Sequence, residues 1–185
     1  MSPWAEGGFL FVLFHLLGKL EVEIEGPRGW AEALPTWRFQ PPWWLSLTNG
    51  KPLTGYHVYM NLLLIAFFHL PLVYAGFSRA LEARLLSAFF FAAVFWDFQW
   101  FLWNPAWGLR RFLTERIWWF PRKVLGFPAE YYAGLAASAA ATGLLWPAGL
   151  GRWLRVAGAL VLLTAASAGL SLVYNQRKSR LWRQP

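Results

Sequence analysis

A small set of polar side chains lies within or beside long apolar stretches of this sequence, and these side chains could carry chemistry. Burying an ionisable group among apolar residues is costly, so each such group marks a candidate site. The set consists of His15, His57, Asn61, His69, Asp97 and Asn104, with Glu21, Glu23 and Glu25. An ionised aspartate in a membrane costs about 3 kcal/mol, whereas a polar contact between helices returns only about 0.6 kcal/mol. Asp97 is therefore the leading candidate for an acid or base.

Asp97, Asn61 and His57 are expected to lie near one another. His57 and Asn61 are one helical turn apart, which places them on one helix face. If the next helix folds back at a turn near residues 78–80, Asp97 lies opposite Asn61. We predict a half-buried cluster of these three residues near the cytoplasmic membrane face, which either ties two helices together or forms a catalytic site. Asn104, which precedes a proline, is expected to end the second helix or to join the cluster.

Histidines and glutamates supply only isolated metal-binding signals. His15 and His57 are expected at similar depths on different helices, so together they are candidates for ligating a haem b, with burial without a ligand as the alternative. Glu21, Glu23 and Glu25 are candidates for binding a divalent cation, although carboxylates at a helix end are usually solvated. The sequence has no Glu-x-x-His pair, no His-x-x-x-His pair and no cysteine, and it therefore predicts no metal site.

Two further features have a structural interpretation. His69 stands beside Pro71, which frees a backbone carbonyl, so His69 is expected to bond backbone rather than to act as a ligand. Trp96, Trp100 and Trp103 cover one helical face. Such a stripe is more often an interface belt or a packing surface than a platform for a cofactor.

The composition indicates that lipid rather than water surrounds most of the chain. Hydrophobic residues make up 57% of it, charged residues only 14%, and the mean hydropathy is +0.35. A soluble domain carries about 25% charged residues, so polar surface is too scarce here to cover a water-soluble globule. The net charge of +8 does not indicate nucleic-acid binding, because the basic residues stand in short runs beside apolar stretches.

We predict an all-α fold, a polytopic transmembrane helical bundle that forms a single membrane domain over residues 1–185. A spanning helix needs about 20 apolar residues. The apolar stretches predict five spans, at about residues 4–20, 53–77, 81–103, 129–150 and 153–174. The first stretch is short, so a helix lying in the membrane plane is its alternative. Small residues such as Gly134 and Ser138 in the last two spans are expected to let helices pack closely.

Positive charge predicts the orientation of these spans. With five spans, one membrane side receives 13 lysines and arginines and the other side receives 4. The more positive side is normally cytoplasmic. This places the N-terminus outside and the C-terminus in the cytoplasm, in a multi-pass protein of the bacterial inner membrane. The basic tail, which contains Arg177, Lys178, Arg180 and Arg183, is expected to bind anionic headgroups of membrane lipids.

Two loops rich in tryptophan and proline, at residues 21–52 and 104–128, are predicted on the cytoplasmic side. Tryptophan favours the headgroup region because its ring is apolar while its N–H needs a partner. Proline breaks both stretches into short pieces. Both loops are therefore expected to lie along the membrane surface as a lid over the helix ends.

Three motifs carry a resemblance to a known family: GWAEALPTWR, GKPLTGYH and WDFQWFLWNPAWG, followed by IWW. Over about residues 21–132 the chain resembles small bacterial integral membrane proteins that have no assigned activity. The resemblance implies a membrane protein and supplies no site residues. It also implies a histidine after the paired tryptophans, where this chain has Phe120, and that departure counts against a metal site.

No catalytic pattern is complete in the sequence. The leading hypothesis is therefore a non-catalytic interaction or assembly subunit, which would contact a protein partner through its Trp-rich lid. The alternatives are a membrane enzyme acting on a lipid-like substrate and a small proton-coupled transporter. Both alternatives would use the polar cluster around Asp97 and His57.

Overall fold

The computed structural model describes residues 1–178 and is mainly helical. Within that range the helices are α1 (Pro3–Glu25), α2 (Pro42–Leu47), α3 (Gly55–Ala75), α4 (Arg79–Trp103), α5 (Gly108–Thr114), α6 (Ala129–Leu145) and α7 (Leu150–Lys178). A short 3-10 turn, Pro147–Gly149, joins the last two. The predicted headgroup-binding residues Arg180 and Arg183 lie outside the described residues, and the side chains of Arg177 and Lys178 are not described.

Side-chain caps fix where three of the long helices begin. The Ser2 hydroxyl accepts a hydrogen bond from the backbone N–H of Ala5 at the start of α1. Thr54 caps α3 and Ser78 caps α4 in the same way. Each cap satisfies an N–H that has no partner within the helix, which favours a helix start at that residue.

The first helix is longer than predicted. The sequence predicts that the first span ends near residue 20, but α1 continues to Glu25 and ends at Gly26, whose φ is 67°. Glu21 and Glu25 therefore stand on one helix face, a turn apart. Glu23 lies on another face and is exposed. The additional turn decides which glutamates can meet other elements.

Two small antiparallel strand pairs shape the loops between the long helices. Strand β1 (Arg38–Phe39) pairs with β2 (Leu53–Thr54), and β3 (Lys123–Val124) pairs with β4 (Phe127–Pro128). In the first pair Arg38 stands opposite Thr54. Because Thr54 also caps α3, the loop that follows α1 is attached to the start of α3.

Helix α4 lies at the centre of the bundle and packs against α1, α3, α6 and α7. Fully buried side chains on it and around it include Phe14, Phe91, Phe101 and Leu160. Gly134 of α6 faces Val94 of α4, and the Ser138 hydroxyl lies 2.7 Å from that of Ser87. The small residues of α6 thus face α4, where they let the two backbones approach.

One carboxylate ties three helices together at the end of the bundle where α1, α4 and α7 begin. Glu6 accepts hydrogen bonds from Arg84 Nε at 3.2 Å and from Arg152 Nε at 2.8 Å. The side chain of Glu6 is only 12% exposed. This cluster lies at the opposite end of the bundle from the Trp-rich loops.

Three helices are long and apolar enough to cross a membrane: Gly55–Ala75, Arg79–Trp103 and Pro147–Asn175. These helices indicate a membrane protein. In the described part of the chain α1 and α6 do not meet the same length and hydropathy limits, so three candidate spans stand where the sequence predicts five. His69 bonds the carbonyl of Ile65 at 2.7 Å, which confirms its predicted contact with backbone.

Candidate functional site

A cavity of about 610 Å³ lies where α1 and α4 end and α3 and α6 begin. We call it the polar cavity. The helices contribute Glu21, Glu25, His57, Asn61, Trp96, Asp97, Trp100 and Glu130 to its wall, and the loops contribute Trp30, Trp44, Lys51, Trp119 and Phe120. Residues from both Trp-rich loops therefore contribute to the wall of this cavity.

Two glutamates and a histidine meet in this cavity. One ligand-type atom from each of Glu21, Glu25 and His57 lies within 4.8 Å of the other two. The Nε2 atom of His57 is 3.8 Å from Oε1 of Glu25. The sequence treats Glu21 and Glu25 as groups at a helix end and His57 as a partner of Asp97, so their meeting was not predicted.

A tight turn after α1 holds the Glu25 carboxylate. Gly29, Trp30 and Ala31 all have positive φ, and the backbone N–H of Ala31 donates a 2.5 Å hydrogen bond to Oε1 of Glu25. Glu25 is only 6% exposed.

Neighbouring side chains orient Glu21 and His57. The Tyr56 hydroxyl donates to Oε1 of Glu21 at 3.2 Å. The Nδ1 atom of His57 lies 2.7 Å from the Thr54 hydroxyl, and its ring stacks on that of Trp30 with centroids 4.5 Å apart. The imidazole is thus held with Nε2 towards Glu25.

Asp97 also lines the cavity, but its direct partner differs from the predicted one. The Tyr131 hydroxyl of α6 donates a hydrogen bond to Oδ2 of Asp97. Asn61 uses its amide nitrogen to bond the backbone carbonyl of its own helix at His57, at 2.7 Å. The structure therefore places Asp97, Asn61 and His57 around one cavity, while α6 supplies the group that holds Asp97 in place.

A single lysine faces these carboxyl groups in the described cavity wall. The Nζ atom of Lys51 lies 3.5 Å from Oε1 of Glu130 and above the rings of Trp30 and Phe120, at 5.3 and 5.2 Å from their centroids. An ammonium above aromatic faces is stabilised by the ring quadrupoles. Lys51 therefore brings positive charge to a cavity that also contains the carboxyl groups of four acidic residues.

Two indole N–H groups in the cavity wall have no partner. Both residues, Trp96 and Trp100, are more than nine-tenths buried. Their Nε1 atoms are buried as well and make no hydrogen bond. A buried donor left without an acceptor is costly and rare in native proteins. Trp103, the third member of the predicted stripe, donates to Gln99 and Ser167 at 3.0 Å each. Trp96 and Trp100 thus keep two buried donors without a partner beside the cavity.

The remaining predicted site residues lie elsewhere. His15 contacts Gln99 at 3.2 Å and the edge of the Trp103 ring, and it does not line the polar cavity that holds His57. Asn104 donates to the Gly26 carbonyl at 2.8 Å and accepts from the backbone N–H of Ala106. Asn104 therefore ends α4 and ties it to the end of α1.

Phe120, where the family resemblance implies a histidine, lines the polar cavity. A phenyl ring cannot ligate a metal. Among the described residues, Glu21, Glu25 and His57 form the group whose ligand atoms lie close enough together to hold one ion.

A second cavity, the apolar groove, lies between α1, α3 and α4 and has a volume of about 700 Å³. Its wall is formed mainly by Leu13, Leu17, Leu64, Phe67, Leu85 and Ala88. On each helix a groove residue stands one turn from a residue of the polar cavity: Leu17 and Glu21 on α1, Leu64 and Met60 on α3, Ala88 and Ala92 on α4. The two cavities therefore follow one another along the same three helices.

Comparison with known proteins gives no relative: no family model, curated protein or solved structure matches the chain.

Proposed function

We propose that this protein is a membrane-embedded enzyme that acts on the polar headgroup of a lipid-like substrate. The observation that carries the proposal is the succession of the polar cavity and the apolar groove on α1, α3 and α4. An amphiphile has the same succession of polar and apolar parts. One molecule can therefore place its headgroup among the acids and its chain against leucine and phenylalanine.

The contents of the polar cavity favour chemistry over simple binding. The carboxyl group of Asp97 can carry a proton and is held in position by Tyr131, while Thr54 fixes the imidazole of His57. Held acids and bases within reach of a bound headgroup are what general acid–base catalysis requires. The ammonium group of Lys51 favours a headgroup rich in oxygen acceptors, such as a phosphate or carboxylate.

The membrane arrangement follows from the same proposal. We propose that α1 and α6 cross the bilayer together with the three apolar helices, which gives five spans with the N-terminus outside and the C-terminus in the cytoplasm. The polar cavity then opens at the cytoplasmic face. The arginine-bound Glu6 at the other end of α1 lies at the outer face, where the two guanidinium groups can reach water.

The hypothesis of a non-catalytic subunit remains a second proposal, which one observation favours. The exposed fractions of Trp37, Trp43 and Trp118 in the loops are 49, 58 and 43%, so these rings are available to a partner or to headgroups. We rank it second because three other tryptophans of these loops, Trp30, Trp44 and Trp119, line the polar cavity.

Lipid binding and turnover test the proposal in two steps. The purified protein in nanodiscs is given a total lipid extract, and mass spectrometry follows bound lipids and any new product. Leu17→Trp fills the apolar groove and should abolish retention of the lipid. Leu16→Trp is the matched control. Leu16 is 59% exposed and does not line the groove, so this substitution adds the same ring outside it. Equal retention by both variants, or no product from any lipid, would contradict the proposal.

A further inference from the structure

We infer that Glu21, Glu25 and His57 form a binding site for one divalent transition-metal ion, with two carboxylates and one imidazole as its protein ligands. The site lies in the polar cavity, but the inference does not need a lipid substrate, since the metal can be measured alone.

The spacing of the three side chains fits one ion. Oxygen and nitrogen ligands lie about 2.0–2.2 Å from a tetrahedral zinc ion, so two ligands of one ion are about 3.3–3.6 Å apart. The candidate ligand atoms lie within 4.8 Å of one another, and Glu25 Oε1 and His57 Nε2 are already 3.8 Å apart. A small rotation of the glutamate side chains closes the remaining distance.

The surroundings hold these groups as metal ligands are usually held. A ligating histidine normally bonds its second ring nitrogen to a neighbouring acceptor, which fixes the ring. When His57 donates its Nδ1–H to the Thr54 hydroxyl, its Nε2 lone pair faces the carboxylates. The Tyr56 hydroxyl and the Ala31 N–H hold Glu21 and Glu25 in turn. Each ligand therefore has its own supporting contact.

The three protein ligands leave room for a further ligand. Three protein ligands leave at least one position on the ion for water or for an anionic group.

Charge in the cavity also favours a cation. Glu21, Glu25, Asp97 and Glu130 contribute carboxyl groups, and Lys51 alone among the described wall residues contributes a permanent positive charge. Carboxylates that share a buried space repel each other. A divalent ion between Glu21 and Glu25 would remove that repulsion.

The ligand types select the class of metal. Imidazole suits zinc, copper, iron and nickel, and carboxylates also suit manganese, whereas magnesium and calcium prefer oxygen ligands alone. We therefore expect tight binding of Zn²⁺ and measurable binding of Mn²⁺, with Mg²⁺ and Ca²⁺ much weaker.

The test uses the full-length protein, stripped with a chelator in detergent, and then titrated with ZnCl₂ or MnCl₂. Calorimetry gives the dissociation constant, and elemental mass spectrometry after gel filtration gives the stoichiometry. We expect one Zn²⁺ per chain. Glu25→Gln and His57→Gln should each weaken binding at least about tenfold, and Thr54→Val, which removes a supporting contact, should weaken it about tenfold.

Glu23→Gln is the matched control, because Glu23 stands on the same helix but is exposed on another face. His69→Gln controls for loss of an imidazole outside the cavity. Because a bound ion stabilises the folded protein, Zn²⁺ should also raise the melting temperature of wild type and both controls but not of Glu25→Gln. Failure of wild type to retain Zn²⁺, or equal affinities in Glu23→Gln and Glu25→Gln, would overturn the inference. Neither result depends on lipid turnover.

Discussion

The Nε2 atom of His57 lies 3.8 Å from Oε1 of Glu25, although a whole Trp-rich loop separates the two residues in the sequence. The tight turn after α1 and the strand pair β1–β2 bring them together, since the first holds Glu25 and the second ends at the threonine that caps α3. The loop thus acts as a structural part of the site, and changes in it should affect the site at a distance.

Replacing Asp97 should separate chemistry from folding. Asp97→Asn keeps the shape of the side chain and an acceptor for the Tyr131 hydroxyl, but it removes the titratable carboxyl. We expect turnover of the lipid to fall by about 10²–10⁴-fold, the usual contribution of a positioned acid or base. Lipid retention and melting temperature should stay close to wild type. Full turnover in this variant would exclude Asp97 as a proton carrier, and Glu115→Gln, an exposed carboxyl in a loop, serves as the control.

The turn after α1 should be intolerant of a side chain at Gly29. A Cβ there would lie 2.9 Å from the rings of both Trp100 and Trp119, and the φ of Gly29 is 69°. Gly26 has a similar φ of 67° but nothing within 4 Å of an added Cβ, so Gly26→Ala carries the backbone strain alone. Gly29→Ala should therefore be less stable than Gly26→Ala by about 1–3 kcal/mol. Denaturant unfolding in detergent measures the difference, and equal stabilities would show that the two rings move aside freely.

Close packing of α1 on α4 depends on Gly18. A Cβ at this position would stand 2.8 Å from Cβ of Gln99 and 2.9 Å from the backbone nitrogen of Trp100. Gly18→Ala should push the helices apart, lower the melting temperature and weaken Zn²⁺ binding, because Glu21 lies one turn further along α1. Gly8→Ala adds the same methyl group to α1 with nothing within 4 Å and should stabilise the protein by up to about 1 kcal/mol through helix propensity. Similar thermal shifts in the two variants would rule out the close approach.

The Glu6 cluster should contribute more to stability than an exposed ion pair. Glu6→Gln leaves Arg84 and Arg152 without their shared carboxylate in a partly buried position. We expect a loss of about 1–3 kcal/mol, below the range for a fully buried pair because both guanidinium groups remain partly exposed. Glu115→Gln breaks the exposed i,i+4 pair with Arg111 and should change the unfolding free energy little. Denaturant unfolding of Glu6→Gln and Glu115→Gln tests this expectation, and equal midpoints for the two variants would contradict it.

Topology is the most direct test of the proposed membrane arrangement. Reporter fusions after Phe77, between α3 and α4, and at the C-terminus should report opposite compartments, the second being cytoplasmic. A fusion after Thr114, in the second Trp-rich loop, should share the compartment of the C-terminus. Any other distribution would contradict five spans with an external N-terminus.

Hydropathy could locate helices but not their side-to-side neighbours. The sequence predicts spans at 53–77 and 81–103, and α3 and α4 cover Gly55–Ala75 and Arg79–Trp103. Pairing residues at equal distances from the turn between α3 and α4 considers these two helices alone. It therefore could not identify Tyr131, whose hydroxyl contacts Asp97 from α6. No pattern within one helix encodes which other helix will pack against it.

The site around Glu25 escaped sequence analysis for a local reason. Placing the end of the first helix near residue 20 leaves the glutamates in a loop, where spacing has no meaning. With α1 extended to Glu25, the four-residue spacing of Glu21 and Glu25 predicts a shared face. The turn at Gly29–Ala31 has positive φ values, which a sequence indicates only at glycine. The hydrogen bond from the Ala31 N–H to Glu25 therefore could not be predicted from the sequence.

Helix α3 has a consequence for how a substrate would arrive. Its main helix contact is α4, whereas α1 is packed against α4 and α7 so closely that glycines occupy the contact points. A lipid in the surrounding leaflet would meet the seam between α1 and α3 by sideways diffusion in two dimensions, with its tail never passing through water. Widening that seam would require only α3 to tilt about the short turn at residues 76–78. The contacts between α1 and α3 would then control entry of a lipid, while the contacts of α1 with α4 and α7 would hold the bundle together.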